Sequence, residues 1–208
     1  CAGTWNLTST VTIGKNLTLV GAGVSATRLD GSNAGTVLQI TAGTTVTLQD
    51  LTVTKGNAVD DGGGIQNLGT LTLRDVSVTD STATTGSGGG VYNLDGTLTL
   101  QTGSSVMGNT ATIGGGVTNL NATMTMEAGS SVSNNTATDR GGGIINGAAT
   151  LTLEDGSQVT GNIATNTGGG IQNELGGVVN IESITIATAN TPDNCAGEAV
   201  TPPANCVG

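Results

Sequence analysis

The chain has 208 residues, of which 36 are glycine, one is tryptophan, one is tyrosine and none is phenylalanine or histidine. Any core must therefore be aliphatic and narrow, and the lack of histidine excludes Ser-His-Asp, Cys-His and histidine-metal sites. Five basic residues against fifteen acidic ones give a net charge of −10, which argues against nucleic acid as a partner. No run approaches the roughly 20 apolar residues of a membrane span.

The first third of the chain contains short segments in which apolar and polar residues alternate, a period typical of strands. These segments are Trp5–Leu7, Val11–Ile13, Leu17–Leu19, Val37–Ile40, Val46–Leu48 and Leu51–Val53. No window shows the 3.6-residue periodicity of an amphipathic helix. We expect these segments to form about two coils of a solenoid.

A regular repeat follows, marked by the motif Gly-Gly-Gly-(Ile/Val)-x-Asn. Its five copies begin at Gly62, Gly88, Gly114, Gly141 and Gly168, at spacings of 26, 26, 27 and 27 residues. Each copy precedes two further strand-like segments, such as Leu98–Leu100 and Val106–Met107. Because strands this short bury nothing alone, each coil must stack on the next in parallel and in register.

The repeat predicts an all-β fold, a right-handed three-sided parallel β-helix (β-solenoid) with about seven coils of 26–27 residues. At about 4.8 Å per coil the rod would be roughly 34 Å long. We assign residues 1–189 to the β-helix and residues 190–208, which contain three prolines and two cysteines, to a C-terminal tail or cap.

Two columns of asparagine recur with the repeat. Because amide side chains can bond to their copies along a stack, we interpret the first column as a structural ladder rather than a binding site; it contains Asn67, Asn93, Asn119, Asn146 and Asn173. The second column contains Asn109, Asn135 and Asn162.

The segments Val106-x-x-Asn109, Val132-x-x-Asn135 and Val159-x-x-Asn162, each followed by Gly-Gly-Gly-(Ile/Val), resemble the paired FxxN and GGA(I/L/V) motifs of polymorphic outer membrane protein repeats. The resemblance covers roughly residues 55 to 175, with Val in place of Phe and Gly in place of Ala. It implies a right-handed parallel β-helix at a bacterial cell surface, often adhesive, and it implies no particular ligand.

A Thr-x-Thr pattern occupies one strand of five consecutive coils. The intervening Val, Leu and Met point inward, so both threonines of each pair should face solvent; they are Thr45 and Thr47, Thr70 and Thr72, Thr97 and Thr99, Thr123 and Thr125, and Thr150 and Thr152. The array, spaced about 6.7 by 4.8 Å, resembles the faces of solenoid ice-binding proteins. Threonine is also an ordinary exposed strand residue.

Carboxylates are the remaining candidates for chemistry. The outward position after the second strand of each coil holds Gln49, Arg74, Gln101, Glu127, Glu154 and Glu182. Glutamates about 5 Å apart could act as a glycosidase pair or bind calcium, and many β-helix proteins cleave polysaccharides. We interpret these glutamates, together with Asp50, Asp75 and Asp60-Asp61, as solvated surface, because flat ladders provide no cleft. We predict no catalytic residue, cofactor or metal.

The three cysteines are Cys1, Cys195 and Cys206. Cys195 and Cys206 could close a short loop in an oxidising compartment, and an odd cysteine suggests pairing between molecules. We hypothesise that Cys1 bonds to Cys195 or Cys206 of a neighbouring copy, while a lipid-bearing Cys1 or a free thiol are alternatives. Complementary open ends would generate a head-to-tail filament, unless Trp5 and the tail cap them.

We therefore predict a non-catalytic structural or adhesive protein, extracellular or at the cell surface (secreted, bacterial-type). Its expected partners are further copies of itself and, secondarily, surface glycans or other cells. Ice binding through the threonines is one alternative, and polysaccharide binding or cleavage is another.

Overall fold

The computed structural model describes residues 2–182 and 186–198. This part of the chain contains 26 strands and no helix, which confirms the all-β prediction. The first thirteen strands are β1 (Gly3–Asn6), β2 (Val11–Ile13), β3 (Leu17–Val20), β4 (Thr27–Asp30), β5 (Leu38–Ile40), β6 (Thr45–Thr54), β7 (Asn57–Ala58), β8 (Ile65–Asn67), β9 (Thr70–Thr79), β10 (Thr82–Ser87), β11 (Val91–Leu94), β12 (Thr97–Leu100) and β13 (Ser105–Met107).

The remaining strands are β14 (Thr110–Ile113), β15 (Val117–Leu120), β16 (Thr123–Met126), β17 (Ser131–Ser133), β18 (Thr136–Arg140), β19 (Ile144–Gly147), β20 (Thr150–Leu153), β21 (Gln158–Thr160), β22 (Ile163–Ala164), β23 (Ile171–Glu174), β24 (Val178–Ile181), β25 (Ile186–Thr188) and β26 (Cys195–Gly197). All pairings between them are parallel and join each strand to its counterpart one repeat away.

The strands form three sheets that run along the rod. The largest sheet has two rows. Its threonine row contains β3, β12, β16, β20, β24 and the first halves of β6 and β9. Its valine row contains β1, β4, β13, β17, β21, β25 and the second halves of β6 and β9. The asparagine sheet contains β2, β5, β8, β11, β15, β19, β23 and β26, and the alanine sheet contains β7, β10, β14, β18 and β22. The parallel β-solenoid of about seven turns is thus confirmed.

The glycine triplets lie where the chain passes from the alanine sheet to the asparagine sheet. Gly114 has a φ of 63°, a conformation that favours glycine. At Gly115 a Cβ atom would lie only 2.4 Å from the carbonyl oxygen of Thr136 and 2.6 Å from that of Gly142 in the next coil. Backbone therefore rests directly on backbone at this corner, and the Gly115 amide donates to the Gly141 carbonyl at 3.0 Å.

The interior is a single aliphatic core, as its composition requires. Columns of identical or similar side chains are fully buried along the rod; they include Leu48, Leu73, Leu100, Met126 and Leu153 in the threonine row and Val53, Val78, Val106, Val132 and Val159 in the valine row. Burying one such side chain stabilises a fold by about 1.5–3 kcal/mol. Because every rung contributes the same kind of residue at each position, stability accumulates along the stack.

The structure contains a fourth segment per coil that the sequence pattern does not reveal. Three segments are predicted for each period, but the alanine sheet adds another in the coils from β7 to β22. Its strands are two to six residues long and place one buried alanine each in the core, namely Ala58, Ala83, Ala111, Ala137 and Ala164.

The solenoid also continues beyond the boundary predicted at residue 189. Asn190 extends the second asparagine column, since its Oδ1 accepts from Asn162 Nδ2 at 3.0 Å. The strand β26 then pairs in parallel with β23, with Cys195 opposite Ile171. Residues 190–198 thus complete a coil, and residues 199–208 of the predicted tail lie outside the described residues.

The glycine corner generates a stability prediction. We expect Gly115→Ala to destabilise the protein by about 2 kcal/mol or more, because the new Cβ overlaps backbone that cannot move without shifting the next coil. Gly14→Ala is the matched control, since its Cβ would meet only Thr41 Oγ1 at 3.8 Å. Urea unfolding followed by circular dichroism measures both variants, and equal midpoints for the two would contradict the role of the corner.

Candidate functional site

The threonine row places its predicted residues in one regular surface. Thr70, Thr97, Thr123 and Thr150 are aligned in consecutive rungs, as are Thr72, Thr99, Thr125 and Thr152. Thr45 and Thr47 extend both columns through β6. Most of the first column is exposed and the second column is half-buried, while the intervening residues are buried.

The threonine row is flat, and no charged residue stands in its two threonine columns. Thr18 adds a further exposed rung through its pairing with Thr47, and Asn180 follows Thr152 at the other end. Because threonine is β-branched, its side chain keeps few χ1 rotamers. The row therefore presents hydroxyl and methyl groups at about 6.7 Å along each strand and about 4.8 Å between strands.

The valine row carries a second set of outward hydroxyls that sequence reasoning missed. Ser77, Ser105 and Ser131 are aligned in consecutive rungs, and Ser105 Oγ donates to Ser77 Oγ at 3.3 Å. The signal was present as a serine directly before Val78, Val106 and Val132, but the segments are short and vary in composition. The half-exposed Met107 interrupts the neighbouring column, so this face is less regular than the threonine row.

The predicted carboxylate column lies along the edge between the two rows. Gln101 Nε2 donates to Glu127 Oε1 at 3.2 Å, and Glu182 Oε2 accepts from the Asp155 amide at 3.1 Å. An open depression of about 260 Å³ along this column is lined by Arg74, Asp75, Gln101, Thr102 and Glu127. Among the described residues no group of three or more His, Cys, Asp or Glu side chains is arranged to hold a metal ion.

The other predicted acidic positions have local structural roles. Asp50 and Asp75 have φ values of 54° and 48° and lie where β6 and β9 pass from the threonine row to the valine row. Asp61 Oδ1 accepts from the Ser87 amide one coil away at 2.8 Å, while its neighbour Asp60 is exposed.

Two groups of charged residues have shifted pKa values. Burial acts to raise the pKa of Asp30, but hydrogen bonds from Lys55 Nζ, at 2.8 Å, and from the Ser32 amide outweigh burial and lower it. A hydrogen bond from Asn166 and the neighbouring Arg140 lower the pKa of Asp139. The pKa of Arg140 is raised, chiefly by its hydrogen bond to Glu174 at 3.0 Å. The contacts of Asp30 with Lys55, of Asp139 with Asn166 and of Arg140 with Glu174 join adjacent coils.

Tyr92, the single tyrosine, lies on the outer side of the asparagine sheet and is nevertheless buried. Burial raises the pKa of its hydroxyl, and the carboxylates of Asp61 and Asp95 add to the effect. The tyrosine is not repeated along the rod, so it provides no aromatic platform for sugars.

The asparagine residues form two continuous hydrogen-bonded ladders inside the rod. In the first, the Nδ2 of each asparagine donates to the Oδ1 of the next at 2.7 to 2.9 Å, from Asn67 through Asn93, Asn119 and Asn146 to Asn173. In the second, Asn109 donates to Asn135 and Asn135 to Asn162, each at 3.0 Å. All these side chains are fully buried, so no ligand can reach them.

The cysteines are only partly described. Cys195 lies in β26, whereas Cys1 and Cys206 lie outside the described residues. The pairing between copies therefore stays a hypothesis. In the first coil, Trp5 lies in the same column as Leu29 and Val53 and is 51% exposed.

Comparison with known proteins identifies no relative: no family model, curated protein or solved structure matches this chain. The similarity to polymorphic outer membrane protein repeats rests on the quoted motifs alone, whereas the stacked parallel solenoid that it implied is present. Across residues 2–182 and 186–198 no helix is long and apolar enough to span a membrane.

The first ladder generates a second stability prediction. Asn119→Leu removes the acceptor of Asn93 Nδ2 and the donor to Asn146 Oδ1, leaving buried polar groups unpaired. We expect a loss of about 2–3 kcal/mol, measured by urea unfolding. Asn57→Ala is the control, because Asn57 is exposed and its one side-chain hydrogen bond comes from the Thr84 hydroxyl; we expect a change within about 0.5 kcal/mol. An unchanged free energy of unfolding in Asn119→Leu would show that the ladder adds no stability.

Proposed function

We propose that this chain is a non-catalytic structural and adhesive element outside the cell, and that copies of it stack end to end into a filament or surface scaffold. The observation that carries the proposal is the uninterrupted in-register stack. Each coil places similar aliphatic residues inward, and the two outward threonine columns recur from coil to coil. Such a molecule is a rigid rod with flat faces, and a rod of this kind can support other molecules or connect two surfaces.

Several features support the extracellular and adhesive parts of the proposal. A disulfide of Cys195, predicted from the cysteine count, would be typical of an oxidising compartment, and the net charge of −10 favours solubility. Flat rows of hydroxyl and amide groups can make many weak hydrogen bonds to an extended glycan or to another cell surface. Because the outward groups recur every coil, a repeating ligand could be bound at several rungs together, and its affinity would increase through multivalency.

The non-catalytic part rests on residue chemistry. A hydrolase needs an acid and a base, with raised or lowered pKa values, in a cleft that excludes water. Here the chain has no histidine, and Glu127 lies in an open depression rather than a cleft. The pKa values of Asp30 and Asp139 are lowered by hydrogen bonds and ion pairs within a coil and between coils.

Electron microscopy of the purified chain tests the proposed scaffold. We expect unbranched rods whose axial repeat equals the length of one subunit, about 34 Å for seven coils. Retention on glycan arrays tests the adhesive role, and the appearance of shortened oligosaccharides would contradict the absence of catalysis. Single particles at every concentration, together with no retention on any glycan, would overturn the proposal.

A second candidate function is ice binding, which the aligned and uncharged threonine row favours. A rigid lattice of hydroxyl and methyl groups can order water at matching intervals, and any bulky charge would break that lattice. The hypothesis predicts thermal hysteresis in the wild-type protein and its loss in Thr99→Lys and Thr125→Lys. Thr84→Lys is the control, since Thr84 is an exposed threonine on the alanine sheet. Absence of thermal hysteresis in the wild-type protein would exclude this function.

A further inference from the structure

The connection between the threonine row and the valine row changes length in the middle of the rod. In β9 the chain takes five residue steps from Leu73 to Val78. Their counterparts in the next coil are Leu100 and Val106, which are six steps apart. The coil of β6 also takes five steps, and the coils of β16 and β20 take six. One residue is therefore inserted at this edge of the rod between β9 and β12.

The short connection is a tight bend, and the long connection is a turn. In the short one, Asp75 has a φ of 48° and joins the two halves of β9 directly. In the long one, Thr102 and Gly103 form an exposed turn in which Gly103 has a φ of 80°. The turn rests on the bend, since the Asp75 amide donates to the Thr102 carbonyl at 3.4 Å. The depression of about 260 Å³ lies where this bend and this turn meet.

The side chains that line the depression supply both hydrogen-bond donors and acceptors. Arg74 only donates, the carboxylates of Asp75 and Glu127 only accept, and Gln101 and Thr102 do both. Arg74, Gln101 and Glu127 are the outward residues of three consecutive rungs, since the Gln101 and Glu127 amides donate to the carbonyls of the preceding rung. A donor, a mixed group and an acceptor thus follow one another along the rod at intervals of about 4.8 Å.

Part of this hydrogen-bonding capacity is unused within the protein. Lys55 and Arg140 form ion pairs. In the part of the chain that the structure describes, Arg74 has neither an ion pair nor a hydrogen bond from its side chain, and it is exposed. Gln101 Nε2 donates to only one oxygen of Glu127, Oε1, at 3.2 Å. A guanidinium and a carboxylate oxygen therefore remain available to an external molecule.

The mixture of charges selects the class of that molecule. The depression holds one cationic and two anionic side chains, and the whole chain has a net charge of −10, so a polyanion is repelled. A basic peptide would meet the guanidinium of Arg74 at the same place. The hydroxyl groups of a neutral sugar donate to carboxylates and accept from a guanidinium, and these charge-assisted hydrogen bonds are the strong ones.

The threonine row extends the same surface sideways. Thr72, Thr99 and Thr125 precede the three outward residues of the depression by two positions, so they lie on the same side of the sheet about 6.7 Å away. All three are half-buried. A chain of sugars that lies along the rod at this edge would therefore meet a threonine hydroxyl at every rung.

We propose that the depression formed by Arg74, Asp75, Gln101, Thr102 and Glu127 is the binding site for a neutral, hydroxyl-rich glycan that lies along the edge beside the threonine row. This inference rests on the proposed adhesive function, and it names the surface and the class of glycan. Arg74 donates hydrogen bonds to sugar oxygens, and Asp75 and Glu127 accept hydrogen bonds from sugar hydroxyl groups.

Isothermal titration calorimetry of the full chain tests the site, with cellohexaose, chitohexaose and maltohexaose as neutral probes and hexagalacturonate as the anionic one. We expect binding among the neutral probes, and we expect Arg74→Ala to weaken it at least about tenfold, because charge-assisted hydrogen bonds are lost. Lys15→Ala is the matched control, since it removes the same charge from an exposed side chain of the first coil. It should bind as the wild type does.

A second variant tests the acceptor side of the site. Glu127→Gln keeps the shape of the side chain but removes its charge, and we expect the binding to weaken about three- to tenfold. Asp95→Asn is its control, because it makes the same change in charge at an exposed turn that follows the asparagine sheet. The urea unfolding midpoints of all four variants should equal that of the wild type, so that any loss of binding is a property of the site.

The outcomes separate this site from the proposed function. Equal binding by the wild type, Arg74→Ala and Glu127→Gln would overturn the site and leave adhesion to another face of the rod. Stronger binding of hexagalacturonate than of every neutral probe would overturn the class of glycan. No binding of any of the four probes would overturn the site, and the adhesive role would also be overturned only if glycan arrays retained no protein.

Discussion

The direct contact of backbone with backbone at the glycine corner is the constraint on which the other features of this rod depend. At Gly115 there is no room for a Cβ atom, because the carbonyl groups of Thr136 and Gly142 in the next coil already occupy that space. The corner of each coil therefore rests on the next at hydrogen-bonding distance, and the chain must return to the same place after 26 or 27 residues. Once this corner is aligned, the strands of the asparagine sheet and of the threonine and valine rows lie above their counterparts residue by residue.

The columns inside and outside the rod are consequences of that alignment. Inside the rod, each side chain packs on a similar side chain of the next coil, so that leucines, valines and alanines form continuous stacks. The buried asparagines form hydrogen bonds with one another along the axis. Outside, the same alignment converts a Thr-x-Thr pattern into a flat lattice. A face built in this way has no concavity of its own. Such a surface is suited to recognition of extended or repeating partners, which is why scaffold, adhesive and ice-binding functions are considered before catalysis.

Much of the fold follows from repetition in the sequence, and the exceptions are features that repeat weakly or occur once. The glycine triplets and the Asn67 column recur at fixed spacing and so predict coil length, parallel stacking and the exposed threonines. The alanine sheet is not predictable from strand alternation, because Ala83 and Ala111 each stand among polar residues without a second inward apolar partner. Thr52 has the pattern of an exposed strand threonine but is buried, since its hydroxyl donates to the Val24 carbonyl of a covering loop at 2.7 Å. The strand around Cys195 occurs once and has no repeat to reveal it.

The register of the coils can be measured directly by scalar couplings transmitted through hydrogen bonds, in NMR spectra of the deuterated protein. The structure predicts a coupling between the amide nitrogen of Gly115 and the carbonyl carbon of Gly141, whose hydrogen bond spans 3.0 Å, and another between Val117 and Gly143, at 2.8 Å. Detection of both couplings would establish that the glycine corners stack one coil apart. Couplings displaced by one residue, or couplings only between residues four apart within a helix, would contradict the account.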